Sequence, residues 1–164
     1  MQVREDTRFD AAPDAVFAVL TDPGLARERA AASGALSSSV EVEESDGQVV
    51  VRTSRTVPTD QLPDAARRFV GETAVLEQEE RWGPPAADGA RTGALRLTVR
   101  GAPVALRADL SLRPVPGGTQ HEVDGELRVD VPFLGRAVER AVAPVVTSLV
   151  RAEAEAAAER LRRR

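Results

Sequence analysis

The chain has 164 residues, 42% hydrophobic and 29% charged, with a formal net charge of -4, the make-up of one ordinary globular domain. The acidic balance argues against nucleic acid as a partner, because phosphate binding needs a basic face. Cysteine is absent, which excludes disulfides, thiolate nucleophiles and Cys-ligated metals.

No apolar run approaches the roughly 18 residues that span a bilayer, so no integral membrane segment is expected. The first residues lack a signal-peptide core, and a cytoplasmic location is the default expectation. Lys, Asn, Ile and Tyr are also missing. A GC-rich genome explains that pattern, so an Arg here cannot be read as chosen over Lys for its guanidinium fork.

In chain order, Val3, Glu5, Thr7 and Phe9 alternate with polar residues and predict a first strand. Ala12-Pro13-Asp14 opens a helix whose inner face is Val16, Val19 and Leu20. Thr21-Asp22-Pro23-Gly24 ends it, and a second helix from Leu25 to Ser33 stops at Gly34. Leu36, Ser38, Val40 and Val42 then alternate up to Asp46-Gly47, a hairpin turn. A third strand follows through Val49, Val51, Thr53, Arg55 and Val57. The segment 58–71 breaks the meander with a short helix carrying Leu62, Ala66, Phe69 and Val70 on one side. Glu72 to Trp82 predicts the fourth strand, with Ala74, Leu76, Gln78, Glu80 and Trp82 on one face. Leu95, Leu97 and Val99 mark the fifth, and Val104, Leu106, Ala108, Leu110 and Leu112 the sixth. Val123, Leu127, Val129 and Val131 mark the seventh, with His121 near its start. Such alternation belongs to antiparallel sheets with one wet face.

From Pro132 to the end the period changes. Leu134, Val138, Val142, Val145, Leu149 and Ala152 recur at helical steps and draw one apolar stripe along a long C-terminal helix, residues 132–164. Pro144 lies inside the stripe and predicts a kink, since it removes a helix hydrogen bond. The whole, 1–164, is expected to be a single α+β domain: about seven antiparallel strands with a long helix laid on them.

Four segments carry a family resemblance. They are Pro13-Asp14-Ala15-Val16-Phe17-Ala18-Val19-Leu20-Thr21-Asp22-Pro23, Arg55-Thr56-Val57-Pro58-Thr59-Asp60, Ala66-Arg67-Arg68-Phe69-Val70-Gly71-Glu72-Thr73, and Val131-Pro132-Phe133-Leu134-Gly135 with Ala141-Val142-Ala143-Pro144. Together with the element order, they resemble an uncharacterised actinobacterial family in the START-like superfamily. That superfamily includes pollen-allergen proteins, lipid-transfer domains and polyketide cyclases. The resemblance implies a helix-grip fold, a curved sheet wrapped around the C-terminal helix. It also implies a cavity between them for a lipid, sterol, polyketide or other hydrophobic molecule.

A cavity needs inward positions that leave volume free, plus a few polar anchors. The small inward residues are Ser38, Thr53, Ala74, Gly93, Ala108 and Gly125. The polar ones are Glu5, Arg55, Gln78 and Glu80, and the charged members must pair if buried, whether or not they anchor a ligand head group. Phe69, Trp82, Leu95, Leu110, Val138, Val142 and Val145 complete the expected lining. His121 is the lone histidine and reads better as a rim residue than as a general base. Segment 58–71 is either a lid or a fixed edge decoration. No cofactor, metal or catalytic group is indicated, and oligomeric state stays open. Binding of a hydrophobic small molecule leads; a cyclase or dehydratase and a ligand-free partner module are the alternatives.

Overall fold

Alternating strands and one long helix build most of the molecule; the computed structural model describes the whole chain, Met1–Arg164. Seven strands form, β1 (Gln2–Phe9), β2 (Ser37–Ser45), β3 (Gln48–Pro58), β4 (Thr73–Trp82), β5 (Arg91–Val99), β6 (Val104–Val115) and β7 (Gly118–Val129). They make one antiparallel sheet in the order β1-β7-β6-β5-β4-β3-β2. Asp46 and Gly47 both take positive φ, 53° and 76°, as a two-residue turn between right-twisted strands requires. Four helices complete the chain, α1 (Pro13–Leu20), α2 (Pro23–Ala32), α3 (Asp64–Val70) and α4 (Gly135–Arg162). The architecture is the expected α+β one, a curved sheet with α4 across its inner face.

Inner-face residues line up in rows across the sheet, because antiparallel partners share a face. Arg55 stands opposite Leu76, and Leu76 opposite Val99. The next row runs Thr53, Gln78, Leu97, Leu106, Leu127. Beyond it come Val51, Glu80, Leu95, Ala108, Gly125 and Val3. These rows, α1 and α4 supply the core, with Val16, Val19, Leu106, Leu112, Leu127 and Ala157 almost wholly buried.

The helix α4 continues unbroken through Pro144 for 28 residues. Val138 and Val142 of its apolar stripe are buried, Leu149 is half-buried, and Val145 and Ala152 are exposed, while Val150, Ala154 and Ala157 are buried further along. Leu134 is the residue before the helix and is exposed. The run of strands also starts earlier than apolar spacing shows: β7 begins at Gly118, which puts His121 inside the ladder opposite Leu112 and Thr7.

The arginines at the C-terminus do more than sit at the negative end of a helix. Asp22 caps α2 by accepting from the Gly24 amide at 2.7 Å, and its other oxygen accepts from Arg160 and Arg164 at 2.8 Å each. Glu28 accepts from Arg160 at 2.6 Å and Arg163 at 3.1 Å. The end of α4 is thereby tied to the start of α2. Asp22→Ala removes cap and tie together and is expected to cost about 2 kcal/mol in urea unfolding. Asp22→Asn keeps the cap acceptor and is expected to recover roughly half of that.

Candidate functional site

A cavity of about 660 Å³ lies between the inner sheet face and α4, and 21 of its 30 lining residues are hydrophobic. The sheet contributes Val57, Ala74, Leu76, Leu97, Val99, Val104, Leu106, Leu127 and Val129. Helix α4 contributes Val138, Val142, Val145, Val146 and Leu149, with Pro144 and Ala152 also on the wall. The third wall is segment 58–71, through Leu62, Ala66, Phe69 and Val70. Phe69 and Val145 line the cavity yet are 37% and 36% exposed, so the space opens between α3 and α4. Ser33, Thr59, Asp60, Gln61 and Ser148 are the polar side chains of the lining, and Asp60 is the one ionisable lining residue.

Segment 58–71 is held as a closed loop. The Thr59 amide donates to the Glu72 carbonyl at 3.0 Å, and the buried Thr59 hydroxyl donates to the Gly71 carbonyl. Arg67 then donates to the carbonyls of Thr59, Asp60 and Leu62 at 3.2, 2.8 and 3.3 Å. One side chain thus satisfies three backbone acceptors that regular structure would otherwise pair.

Beside the cavity, in the same rows of the sheet, lies a buried polar lattice. Arg55 Nη2 donates to Glu153 Oε1 at 2.7 Å and to Gln78 Oε1 at 3.3 Å. Gln78 Nε2 donates to Glu80 Oε1 at 2.9 Å and Glu153 Oε2 at 3.3 Å. Arg29, from α2, reaches the Glu153 carbonyl at 3.2 Å and Glu80 Oε1 at 3.5 Å. Trp82 Nε1 donates to Glu80 Oε2 at 3.4 Å. Burial pushes the Glu80 carboxyl above the ordinary carboxylate range, and the Glu153 charge adds to this against the pull of Arg29, Gln78 and Trp82. Burial also works against the Glu153 carboxylate, but Arg29 and Arg55 outweigh it and hold that group below the ordinary range.

Two further spaces adjoin this lattice. One, about 10 Å³, touches Thr53, Arg55, Gln78, Glu80 and Glu153, and the other, about 30 Å³, touches Glu5, Arg29, Glu80, Leu95, Leu110 and His121. Each has room for a water or so and the polar partners to hold it.

A family described as "Protein of unknown function (DUF2505)" matches residues 4–161. The chain belongs to the DUF2505 family. Uncharacterized proteins of Mycobacterium tuberculosis (strain H37Rv) and Mycobacterium bovis are 29% identical to it over 110 residues, 66% of this chain and 63% of theirs. The match therefore spans less than two thirds of those relatives. Among solved structures, a STAR-related lipid transfer protein fragment from Xanthomonas axonopodis superposes with a TM-score of 0.57 at 17% identity, covering 97% of this chain and 84% of that one. A START superfamily protein from Mycobacterium smegmatis gives 0.57 at 14%, covering 99% and 97%. A norcoclaurine synthase point mutant from Thalictrum, in complex with a transition-state analogue, gives 0.57 at 16%, covering 98% and 93%. These likenesses establish the START-like, helix-grip fold for this DUF2505 member.

Within that fold, the residues expected at the site separate into groups. Phe69, Val138, Val142 and Val145 line the large cavity. Thr53, Arg55, Gln78 and Glu80 gather in the polar lattice, while Glu5, Leu95 and Leu110 border the 30 Å³ space beyond it. Ser38 is exposed on β2, an edge strand of the sheet. Ala108 faces Gly125, where an added Cβ would collide with Ala108 and the Arg107 carbonyl, so smallness there serves close strand packing. Gly93 is small for a similar reason: the Trp82 ring lies over it. Trp82 itself is buried edge-on to Phe17, with ring centroids 6.0 Å apart. His121 is 8% exposed and packs between Phe9 and Trp82, inside the protein and not at a rim.

Two members of the lattice do not announce themselves as inward strand positions. Glu153 falls one turn after Leu149 on the apolar side of α4, and Arg29 one turn after Leu25 on α2. A charged residue at helical spacing from apolar ones is the signal that marks both.

Proposed function

We propose that this DUF2505 protein binds a hydrophobic or amphipathic small molecule, of lipid, sterol or polyketide type, in the cavity under α4. The observation that carries the reading is the 660 Å³ apolar space itself, within the 300–1,000 Å³ range typical of ligand pockets. At interior packing density it holds about 20 to 30 non-hydrogen atoms. Segment 58–71 supports the reading as a lid. Its internal clamp by Arg67 lets it move as one piece about Pro58 and Gly71, and Gly71 already has the positive φ of 79° that favours glycine. Phe69 and Val70 form its underside.

Ala74→Trp tests the cavity directly, because Ala74 is buried on its wall. In a filled core such overpacking costs roughly 1–3 kcal/mol. Here the indole enters open volume, so unfolding is expected to stay within about 1 kcal/mol of the parent while binding is lost. Native mass spectrometry of both proteins against an extract of apolar metabolites reads the result. A parent that captures nothing, or a variant that binds equally well, overturns the reading.

A further inference from the structure

Arg55 is 3% exposed and carries five donors, yet a single nitrogen, Nη2, makes both of its side-chain contacts. Its Nε is buried with no partner. Arginine and carboxylate usually meet through two parallel bonds, and here Glu153 takes only one. The guanidinium stands in the row of the sheet that also holds Leu76 and Val99, both on the cavity wall. Gln78 stands in the row of Leu97, Leu106 and Leu127, likewise on the wall. Cross-strand partners sit about 5 Å apart, so Arg55 and Gln78 stand one strand away from residues of the cavity wall, in the small space next to it.

We propose, resting on the cavity reading above, that Arg55 and Gln78 form a head-group subsite for a carboxylate whose apolar chain fills the cavity, and that Glu153 is the chain's own carboxylate held in that place. The free space at Arg55 is about 10 Å³, too little for a head group beside Glu153. An incoming carboxylate therefore replaces Glu153 on Arg55, one anion for another, so the buried charge stays balanced. Glu153 keeps a 14% exposed side chain, which gives it a way out towards water. The ligand class that follows is an amphipathic monocarboxylic acid bound head inward, with its far end at the opening beside Phe69 and Val145.

The test compares dodecanoate with dodecan-1-ol, which share a chain and differ in the head, by titration calorimetry at neutral pH. The parent protein is expected to bind the acid about tenfold more tightly, the scale of a charge-assisted hydrogen-bond pair. Glu153→Gln removes the internal competitor but keeps its acceptor oxygen, and should widen that preference to about a hundredfold. The joint variant Arg55→Gln/Glu153→Gln removes the pair together and should bind both ligands equally. Equal binding of acid and alcohol by the parent overturns the carboxylate subsite and leaves the apolar cavity standing. Failure of both ligands to bind the parent overturns the cavity reading and the subsite with it.

Discussion

Arg55→Met is expected to cost about 3–5 kcal/mol in urea unfolding, the largest effect of any single substitution argued for this protein. The change strips Glu153 of its 2.7 Å ion-pair partner and leaves its carboxylate with the Gln78 amide at 3.3 Å and the charge of Arg29. A native domain has only about 5–15 kcal/mol in hand, so much of the stability goes with one side chain. The joint change Arg55→Met/Glu153→Leu should return most of the loss. It removes the lone charge, and apolar side chains of similar size commonly replace a buried pair at little cost. Gln78 Nε2 then keeps Glu80, and Arg29 keeps both Glu80 and the Glu153 carbonyl, so Gln78 Oε1 alone loses its donor. The double-mutant cycle supplies the coupling energy. If Arg55→Met costs less than about 1 kcal/mol, the pair behaves as an exposed one and the lattice is not the closed unit described.

That contrast bears on what the amino-acid sequence discloses. Strand faces are legible because their period is two: Ala74, Leu76, Gln78, Glu80 and Trp82 share the inner face that alternation assigns them. The order of elements follows from turns such as Asp46-Gly47 and from the helical step of residues 138–149, and the fold follows from the order. Depth along the sheet is not legible. Alternation says that Leu97 and Leu95 both point inward, but only assembled rows show that Leu97 meets the open cavity and Leu95 the small space beside the polar lattice. Smallness is ambiguous for the same reason. Ala74 leaves volume, whereas Gly93 makes room for the Trp82 ring and Gly125 for a neighbouring strand.

The polar lattice was half visible. Arg55, Gln78 and Glu80 stand out as charged or polar groups on an apolar strand face, where burial demands partners. Their partners come from helices 98 and 51 residues away in the chain, Glu153 for Arg55 and Arg29 for Glu80. Strand period carries no information about which helix turn lands on which row. His121 shows the same limit in another form: proximity to a Gly-Gly turn suggests a rim, but β7 begins at Gly118, so the imidazole is already deep in the ladder.

That buried histidine has a large consequence on acidification. Burial pushes the His121 imidazole down to about 4, with the Arg29 guanidinium adding to the shift. An unfolded histidine titrates near 6.5, so between those values the unfolded chain binds a proton that the folded chain refuses. Stability from this group is therefore whole above about pH 6.5 and is lost progressively as pH falls towards 4, by roughly 3 kcal/mol in all. Two carboxyls around the same space are shifted in opposite directions. Glu80, with its raised value, favours folding on acidification, and Glu153, with its lowered value, opposes it. Subtracting the stability profile of His121→Phe from that of the parent removes both of these. Phe keeps an aromatic ring between Phe9 and Trp82, with the 30 Å³ space beside it to absorb the added bulk. The difference should be flat above about pH 6.5 and fall by about 3 kcal/mol towards pH 4. Because the chain has a single histidine, its imidazole resonance gives a direct second reading. A resonance that titrates near 6.5 in the folded protein, or a difference curve that stays flat, removes His121 as the source of acid sensitivity.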